Sequence, residues 1–260
     1  MKPDYKNWIP KGMLYTLLIL PFPAVIILVV FLFFTEGTLR TVLTVIAVVA
    51  LIASLKAALW CIYAYRAFSY DGKRRLSSAI IEGTASHITL PEGGKALDVG
   101  CGSGALAIAV AKRNPGASVI GVDRWGKEYA SYNFTLCEKN ARAEGVKNVT
   151  FRKGDAVHLD FSDESFDAVT SNYVYHNITG KNKQALLLET LRLLKKGGTF
   201  AIHDLMSPRR YGDMDAFVKK LYDTGYEKVE LIDTTDGLFM TEREAKSIML
   251  RGSTLLVGKK

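Results

Sequence analysis

The sequence is poor in cysteine, with only Cys61, Cys101 and Cys137 in 260 residues. No two of them form a C-x-x-C pair, which argues against a disulfide framework, a structural zinc site or a thioredoxin-like redox motif. Histidine and carboxylate residues do not cluster at the spacing of metal ligands, so we expect no metal cofactor. Internal repeats and low-complexity tracts are also lacking. The three cysteines are therefore predicted to be free thiols in a reducing compartment.

Charged residues are missing from two long stretches near the start of the chain. Residues 13–34 carry no charge, and residues 41–65 carry only Lys56. Each stretch is long enough to span a bilayer as a helix, and Pro21 and Pro23 are expected to kink the first. A cleaved signal peptide is the alternative for the first stretch, but the stretch is too long and lacks a small-residue cleavage pattern. The sequence predicts a transmembrane hairpin within residues 1–65.

The net charge of +8 is not accompanied by a basic helix with interleaved aromatic residues, so no nucleic-acid partner is expected. The cations instead flank the apolar stretches. Three lysines and one aspartate precede the first stretch, whereas the second is followed by four cations and one aspartate: Arg66, Lys73, Arg74, Arg75 and Asp71. The positive-inside rule therefore places both termini in the cytoplasm, in a protein of the cell membrane. The two spans are also candidates for pairing between protomers.

Residues 66–93 connect the apolar stretches to the rest of the chain. A helix is predicted from about 76 to 87, with Leu76, Ile80, Ile81 and Thr84 on one side and basic residues before its start. Such a helix is either a lid over a site in the following domain or an interfacial helix on the membrane. The spacing of its residues does not decide between the two.

The segment LDVGCGSG, residues 97–104, has the form of a cradle for a nucleotide cofactor. Its apolar start predicts a buried strand, its three glycines a tight turn, and the ALAIAVAKR that follows a helix whose N-terminus opens onto the turn. Gly100 to Ala105 also satisfy the dinucleotide pattern G-x-G-x-x-A. The carboxylate of Asp98, however, would repel a pyrophosphate and suits a cofactor with an ammonium and a sulfonium group.

This segment resembles the first motif of the class I methyltransferases that depend on S-adenosyl-L-methionine (SAM), and the resemblance extends over residues 94–260. It implies an α/β domain with a Rossmann-like seven-stranded sheet and helices on both faces. It also implies SAM as cofactor and S-adenosyl-L-homocysteine as product. The residues that would hold the methionine end of SAM are Asp98, Gly100, Cys101, Gly102 and Gly104.

Two further acidic residues follow predicted strands. Asp123 ends the strand SVIGVD and is placed to accept hydrogen bonds from ribose hydroxyls, with Arg124 and Trp125 beside it. Trp125 is either a stacking partner of the adenine or a core residue at the start of a helix. Asp155 and Ala156 follow the third strand in a G-D-A triplet, which resembles the methyltransferase motif that receives the adenine.

The loop SNYVYHN after the fourth strand is crowded with polar and aromatic residues. Open α/β sheets place their chemistry at the carboxyl ends of strands, so Asn172 is a candidate cofactor contact and His176 a candidate base, with Tyr173 or Tyr175 orienting either the base or the substrate. This stretch is similar to small-molecule and phosphobase methyltransferases, in some of which a histidine at this position works with a tyrosine of an N-terminal lid. That similarity makes Tyr70 a candidate partner of His176.

The sequence thus predicts a membrane-anchored methyltransferase that transfers the SAM methyl group to a lipid or another membrane-dissolved small molecule, such as a phospholipid amine headgroup or a quinone-like acceptor. Two alternatives remain open. A membrane-anchored regulator or scaffold that binds SAM without turnover would keep the three aspartates but would not need the polar aromatic loop. A nicotinamide-dependent reductase is disfavoured by Asp98 and by the position of the G-D-A triplet.

Overall fold

The computed structural model describes residues 2–126 and 131–260 and divides into two compact units. One unit comprises residues 7–77. The other comprises residues 1–6 together with residues 78–260, so the start of the chain belongs to the same unit as its second half. The predicted bounds of a hairpin at 1–65, a connection at 66–93 and a catalytic domain at 94–260 remain a prediction.

The first unit consists of apolar helices: α1 (Lys11–Ile19), α2 (Pro21–Phe34) and α3 (Gly37–Ala67). The chain keeps a right-handed helical backbone at Leu20, between α1 and α2, and a proline follows at Pro21. A proline lacks the N–H that would continue the hydrogen-bond ladder, which explains the interruption. Residues 11–34 and 37–67 are each long and apolar enough to cross a membrane, and no part of the first is buried within the protein.

The second unit is built on a seven-stranded sheet with the order β3-β2-β1-β4-β5-β7-β6. The strands are β1 (Lys95–Val99), β2 (Ser118–Asp123), β3 (Val149–Lys153), β4 (Phe166–Asn172), β5 (Leu194–Leu205), β6 (Lys228–Asp233) and β7 (Ser253–Lys259). The first five run parallel, whereas β7 is antiparallel to both β5 and β6. The strand order reverses direction between β1 and β4, and such a switch point is where open α/β sheets bind ligands.

Helix α4 (Leu76–Ala85) precedes β1, and the later helices lie between strands in the order expected for a doubly wound sheet. These later helices are α5 (Ala105–Arg113), α6 (Phe134–Ala143), α7 (Lys183–Leu191), α8 (Pro208–Tyr211), α9 (Met214–Asp223) and α10 (Glu242–Ser247). The core contains the apolar faces of the strands and of α7 and α9. This architecture confirms the predicted fold class, the Rossmann-like seven-stranded sheet.

Two predicted elements differ in extent. The sequence from about Lys127 to Ala143 predicts a helix, which in the structure begins at Phe134, where the side chain of Asn133 accepts a hydrogen bond from the Leu136 N–H and caps it. The first four residues of the predicted span, 127–130, lie outside the described residues. The segment TFAIHDL, residues 199–205, predicts the fifth strand, and β5 begins five residues earlier, at Leu194, because Phe166 already pairs with Leu194 across a bulge.

The predicted helix at 76–87 is present as α4, and its residues 78–85 belong to the second unit. Gly83 lies against the ring of Phe239, where a Cβ atom would come within 2.2 Å of the ring. Glu82 pairs with Arg113 of α5 at 3.2 Å. These contacts fasten the C-terminal part of α4 to the sheet unit. Whether α4 works as a lid remains open.

Candidate active site

The carboxyl ends of β1, β2, β4 and β5 lie side by side and bring most of the predicted site residues to one edge of the sheet. The registers pair Val99 with Val122 and Ser171, and Asn172 with His203. Asp98, Asp123, Asn172 and the loops that follow these strands therefore share a single edge.

The glycine loop between β1 and α5 leaves its backbone open to a ligand. Gly100 has φ of 73° and Gly102 has φ of 56°, values in the left-handed region that glycine adopts without strain. A Cβ atom at Gly100 would come within 2.3 Å of Val174, whereas at Gly102 the nearest atom is 3.9 Å away. Within the described part of the chain, the N-cap residue Gly104 offers α5 no side-chain hydrogen bond. N–H groups at the start of this helix can therefore receive a carboxylate, such as that of the methionine end of SAM.

Asp98 is the best evidence for a cationic ligand. Its carboxylate is 1% exposed, and Oδ1 accepts a hydrogen bond from the Thr170 hydroxyl at 3.0 Å. Oδ2 is buried and has no hydrogen-bond partner among the described residues. Burial, together with the nearby charge of Asp123, raises the pKa of the Asp98 carboxyl to about 7, although hydrogen bonds from the Thr170 hydroxyl and the Ala107 backbone act in the opposite direction. An unpartnered buried oxygen of this kind fits the ammonium of SAM, so the residues present fit the cofactor.

Asp123 at the end of β2 orders both the glycine loop and the following turn. One carboxylate oxygen accepts a hydrogen bond from the Gly102 N–H at 2.9 Å, and the other from the Trp125 N–H at 2.7 Å. A carboxylate has about four acceptor positions, so two remain for the ribose hydroxyls. Arg124, which lies between Asp123 and Trp125 in the sequence, is exposed.

Trp125 folds back onto the glycine loop. Its indole N–H donates to the Gly102 carbonyl at 2.9 Å, and its ring meets Phe134 edge to face at 6.1 Å. The predicted stacking on adenine remains a prediction. Cys101 and Cys137 are both buried, and the Cys137 thiol donates to the same Gly102 carbonyl. The sequence did not indicate the contact between Cys137 and the glycine loop, because Cys137 lies 35 residues after Gly102.

Asp155 and Ala156 lie just past β3, next to the end of β2. The Gly154 N–H donates to the Asp123 carbonyl at 3.0 Å, and the Asp155 carboxylate accepts from the Val157 N–H at 2.9 Å. Asp155 is exposed and Ala156 is partly exposed. Both are therefore accessible at the predicted nucleoside end of the site.

His176 lies in a 3-10 turn, Tyr175–Asn177, after β4, and its orienting partner is Asp204. The His176 Nδ1 atom is 2.6 Å from Oδ1 of Asp204, which is fully buried, whereas the imidazole is 18% exposed. A carboxylate only accepts hydrogen bonds, so Nδ1 carries the proton and donates it. The lone pair then lies on Nε2, which makes His176 competent as a base.

The Asp204 carboxylate is held in its charged form by several donors. Oδ2 accepts from the backbone N–H groups of Tyr175 and His176, and Oδ1 also accepts from that of Leu205. Burial by itself would raise the pKa of this carboxyl, but the hydrogen bond from His176 and the backbone donors outweigh it, so the pKa lies below its usual value. Asp204 therefore fixes both the tautomer and the orientation of His176.

The Tyr173 ring meets the imidazole of His176 edge to face, with the ring centroids 6.0 Å apart. The orienting role predicted for Tyr173 or Tyr175 remains a prediction. The Tyr175 side chain is fully buried, and its hydroxyl pairs with Thr190 at 2.6 Å in the core. The Tyr173 hydroxyl lies 2.6 Å from Ser253 Oγ, which itself donates to the Leu250 carbonyl, so Tyr173 is the donor. Burial raises the pKa of both phenols. Tyr70 belongs to the other compact unit, and its pairing with His176 remains a prediction.

His203, which pairs with Asn172 across the two strands, is a second histidine at this edge, fully buried, that the sequence analysis did not single out. Burial lowers its pKa to about 3, so it is neutral. Its Nδ1 atom lies 2.9 Å from the amide oxygen of Asn172, and its Nε2 atom lies 2.9 Å from the Thr234 hydroxyl. His203 therefore holds the Asn172 side chain at the edge of the sheet.

Both Asp204 and His203 could have been noticed in the sequence. They are adjacent ionisable residues at the end of the apolar strand TFAIHDL, and a buried charge there requires a partner nearby. That the partner is His176, 28 residues earlier, follows only from the pairing of β4 with β5.

Comparison with known proteins identifies the family. A family model described as a methyltransferase domain matches residues 90–248, more than half of the chain. The chain belongs to the methyltransferase-domain family. This membership and the sheet order confirm the predicted class I SAM-dependent methyltransferase fold, with SAM as its cofactor.

The curated relatives match this chain in part only. A demethylmenaquinone methyltransferase of Lactobacillus johnsonii is 35% identical over 115 residues, 44% of each chain. An arsenite methyltransferase of Aquipseudomonas alcaligenes is 36% identical over 128 residues, which cover 48% of this chain and 36% of that protein. The chain thus spans less than half the length of these relatives.

The fold is also shared with a solved structure, the [4+2]-cyclase SpnF. The two superpose with a TM-score of 0.55 at 18% identity, over 72% of this methyltransferase and 82% of the cyclase. A likeness at this level of identity concerns the fold alone.

Proposed function

We propose that this methyltransferase transfers the methyl group of SAM to a lipid or another membrane-dissolved small molecule, with a phospholipid amine headgroup and a quinone-like compound as the acceptor classes. The observation that carries the proposal is the His176–Asp204 pair at the edge of the sheet that also holds the cofactor residues. A protein that only bound SAM would not need a buried carboxylate to prepare a histidine as a base.

Different residues would bind SAM and activate the acceptor. The glycine loop, Asp98 and the N-terminus of α5 would bind the methionine end of SAM, while Asp123 and Asp155 would bind the nucleoside. The cofactor supplies a methyl group on a sulfonium, which is open to in-line attack by a nucleophile. His176 Nε2 would remove the proton of the attacking group, and Asp204 would stabilise the imidazolium that results.

Membrane anchoring is the second part of the proposal. No residue of the helical stretch 11–34 is buried within the protein, as expected for a helix that lipid surrounds and not for the core helix of a soluble domain. Residues 1–6 and 78–260 form one compact unit, so both ends of the apolar unit return to it. Two membrane crossings would return the chain to the side of the membrane from which it started. The cations that flank the apolar stretches favour the cytoplasm as that side. Pairing of hairpins between protomers remains a prediction.

The relatives support a small-molecule acceptor without deciding which one. One is named for a hydrophobic quinone, demethylmenaquinone, and the other for arsenite, a small inorganic anion. Two candidate spans favour the membrane-dissolved class. Confinement of enzyme and acceptor to one bilayer would raise their effective concentration, an advantage that arsenite would not share.

The experiment that tests the proposal follows tritium from methyl-labelled SAM into three acceptors: a membrane lipid extract, a demethylated quinone in detergent, and arsenite. We expect label in one of the first two and a loss of about 10²–10⁴-fold in rate for His176→Gln, the usual contribution of a general base. His87→Gln, at an exposed histidine next to α4, is the matched control and should transfer at the full rate.

The outcomes distinguish the alternatives. SAM binding by calorimetry with no transfer to any acceptor would favour the regulator or scaffold. Label in arsenite alone would refute the lipid proposal. Binding of NADH in place of SAM would favour a nicotinamide-dependent reductase.

A further inference from the structure

The N-terminal residues are docked on the methyltransferase unit although some 70 residues of apolar helix and connection separate them in sequence from it. This segment, residues 2–6, is called the arm here. The Tyr5 hydroxyl donates to Glu144 Oε1 at 3.2 Å, just past α6, and the other oxygen of Glu144 accepts from Lys112 at 2.7 Å. Within the arm, Lys6 has φ of 62° and its N–H donates to the Asp4 carboxylate, which closes a small turn.

The arm is recognised through its backbone by one side chain. Asn140 of α6 is 1% exposed, and its Oδ1 accepts a hydrogen bond from the Asp4 N–H at 2.7 Å. Its NH₂ group donates back to the Asp4 carbonyl at 3.1 Å. A primary amide that pairs with both backbone groups of one residue forms a closed two-bond contact that does not depend on the identity of that residue's side chain.

The same NH₂ group also donates to the Ser103 carbonyl at 2.9 Å. Ser103 lies in the glycine loop, between Gly102 and Gly104, so Asn140 connects the arm directly to the loop that would hold SAM. The neighbouring Gly102 carbonyl is held in turn by Trp125 and Cys137. The loop's shape is thus fixed from its outer side by donors from α6 and from the turn after β2.

We propose that Asn140 is a positioning residue that couples the docked arm to the glycine loop, so that SAM affinity depends on residues 2–6. The buried amide of Asn140 has two donors and one acceptor engaged by Asp4 and Ser103, and undocking of the arm leaves one donor and the acceptor without a protein partner. Asn140 is then free to rotate away from Ser103. By thermodynamic reciprocity, SAM bound to the loop must also stabilise the docked arm.

The test uses the full-length protein in detergent and a matched pair of variants. Asp4→Pro removes the backbone N–H that Asn140 accepts, whereas Asp4→Ala removes the carboxylate and keeps the N–H. We expect Asp4→Pro to weaken SAM binding by about three- to tenfold in calorimetry, the worth of one net hydrogen bond, and Asp4→Ala to stay within about twofold of the wild type. No acceptor substrate is present, so the result is independent of what the enzyme methylates.

Hydrogen exchange supplies a readout that a general loss of stability would not give. Asp4→Pro should speed amide exchange in residues 100–104 without changing exchange in the central strands, and SAM should slow exchange in residues 2–6 of the wild type. Equal SAM affinity and equal loop exchange in the two variants would overturn the proposal. A wild-type protein that binds no SAM would instead refute the proposed function itself.

Discussion

At the scale of single residues, the site depends on two buried carboxylates whose pKa values are shifted in opposite directions. Asp98 has an oxygen without a partner and a pKa raised by burial, whereas Asp204 has every oxygen engaged and a lowered pKa. The first is suited to receive a positive charge from a ligand. The second already accepts a hydrogen bond from His176 within the protein. This division explains why only Asp98 should respond strongly to the binding of SAM.

Asp98→Asn is expected to stabilise the cofactor-free protein while weakening SAM binding. The folded carboxyl keeps its proton up to about pH 7, while an unperturbed one releases it near 3.8, so the wild type loses stability as pH rises between these values. The variant has no such loss. Its melting temperature should exceed that of the wild type increasingly from about pH 4 to about pH 7, and the difference should be constant at higher pH. Asp223→Asn, which changes the same chemical group at an exposed position, is the control for the substitution itself.

Asp204→Asn is expected to reduce turnover without changing SAM affinity. The amide can no longer hold the proton of His176 Nδ1 with a full charge, and the imidazolium loses its stabilising partner. We expect the transfer rate to fall by about 10²–10⁴-fold, with the dissociation constant of SAM within about twofold of the wild type.

Tyr175→Phe tests the competing interpretation that this tyrosine orients the base. Its hydroxyl contacts Thr190 in the core, so the variant should keep the wild-type rate once corrected for the folded fraction. A rate loss in Tyr175→Phe equal to that in Asp204→Asn would contradict the assignment of Asp204.

At the scale of elements, the sequence predicted the strands and their carboxyl ends well because apolar runs, glycine turns and the first motif are local signals. The hydrogen-bond partners of His176 and Asn172 were not predicted, because they depend on the register between β4 and β5, which residue spacing does not reveal. The start of α6 was misplaced because Asn133 is a cap only once the helix exists. The docking of residues 2–6 was also invisible, since its contact uses the backbone and a single asparagine.

The apolar helices α1–α3 lead to a prediction about membrane topology. With both flanks of the hairpin in the cytoplasm, cysteines introduced singly at positions 36 to 38 should react with an impermeant thiol reagent added outside intact cells. Cysteines at positions 2 to 6 should react only after permeabilisation. The native thiols Cys61, Cys101 and Cys137 are buried and provide a low background. Labelling of positions 2 to 6 from outside would reverse the proposed orientation.

At the scale of the whole molecule, the central claim is that the acceptor is dissolved in the bilayer that holds the enzyme. A hairpin that confines the enzyme to the same bilayer as its acceptor would raise their effective concentration, whereas an anchor adds nothing to the capture of a freely soluble acceptor. The claim therefore concerns where the acceptor is located during the reaction, and it can be tested separately from the chemistry of His176.

The most direct measurement mixes two vesicle populations and methyl-labelled SAM. One population contains the full-length methyltransferase and one acceptor lipid, and the other contains the same acceptor lipid with a distinguishable acyl chain but no enzyme. We predict that label enters the acceptor of the enzyme-bearing vesicles at least about tenfold faster, because transfer across water requires the acceptor to leave its bilayer. Equal labelling of the two populations would contradict the account.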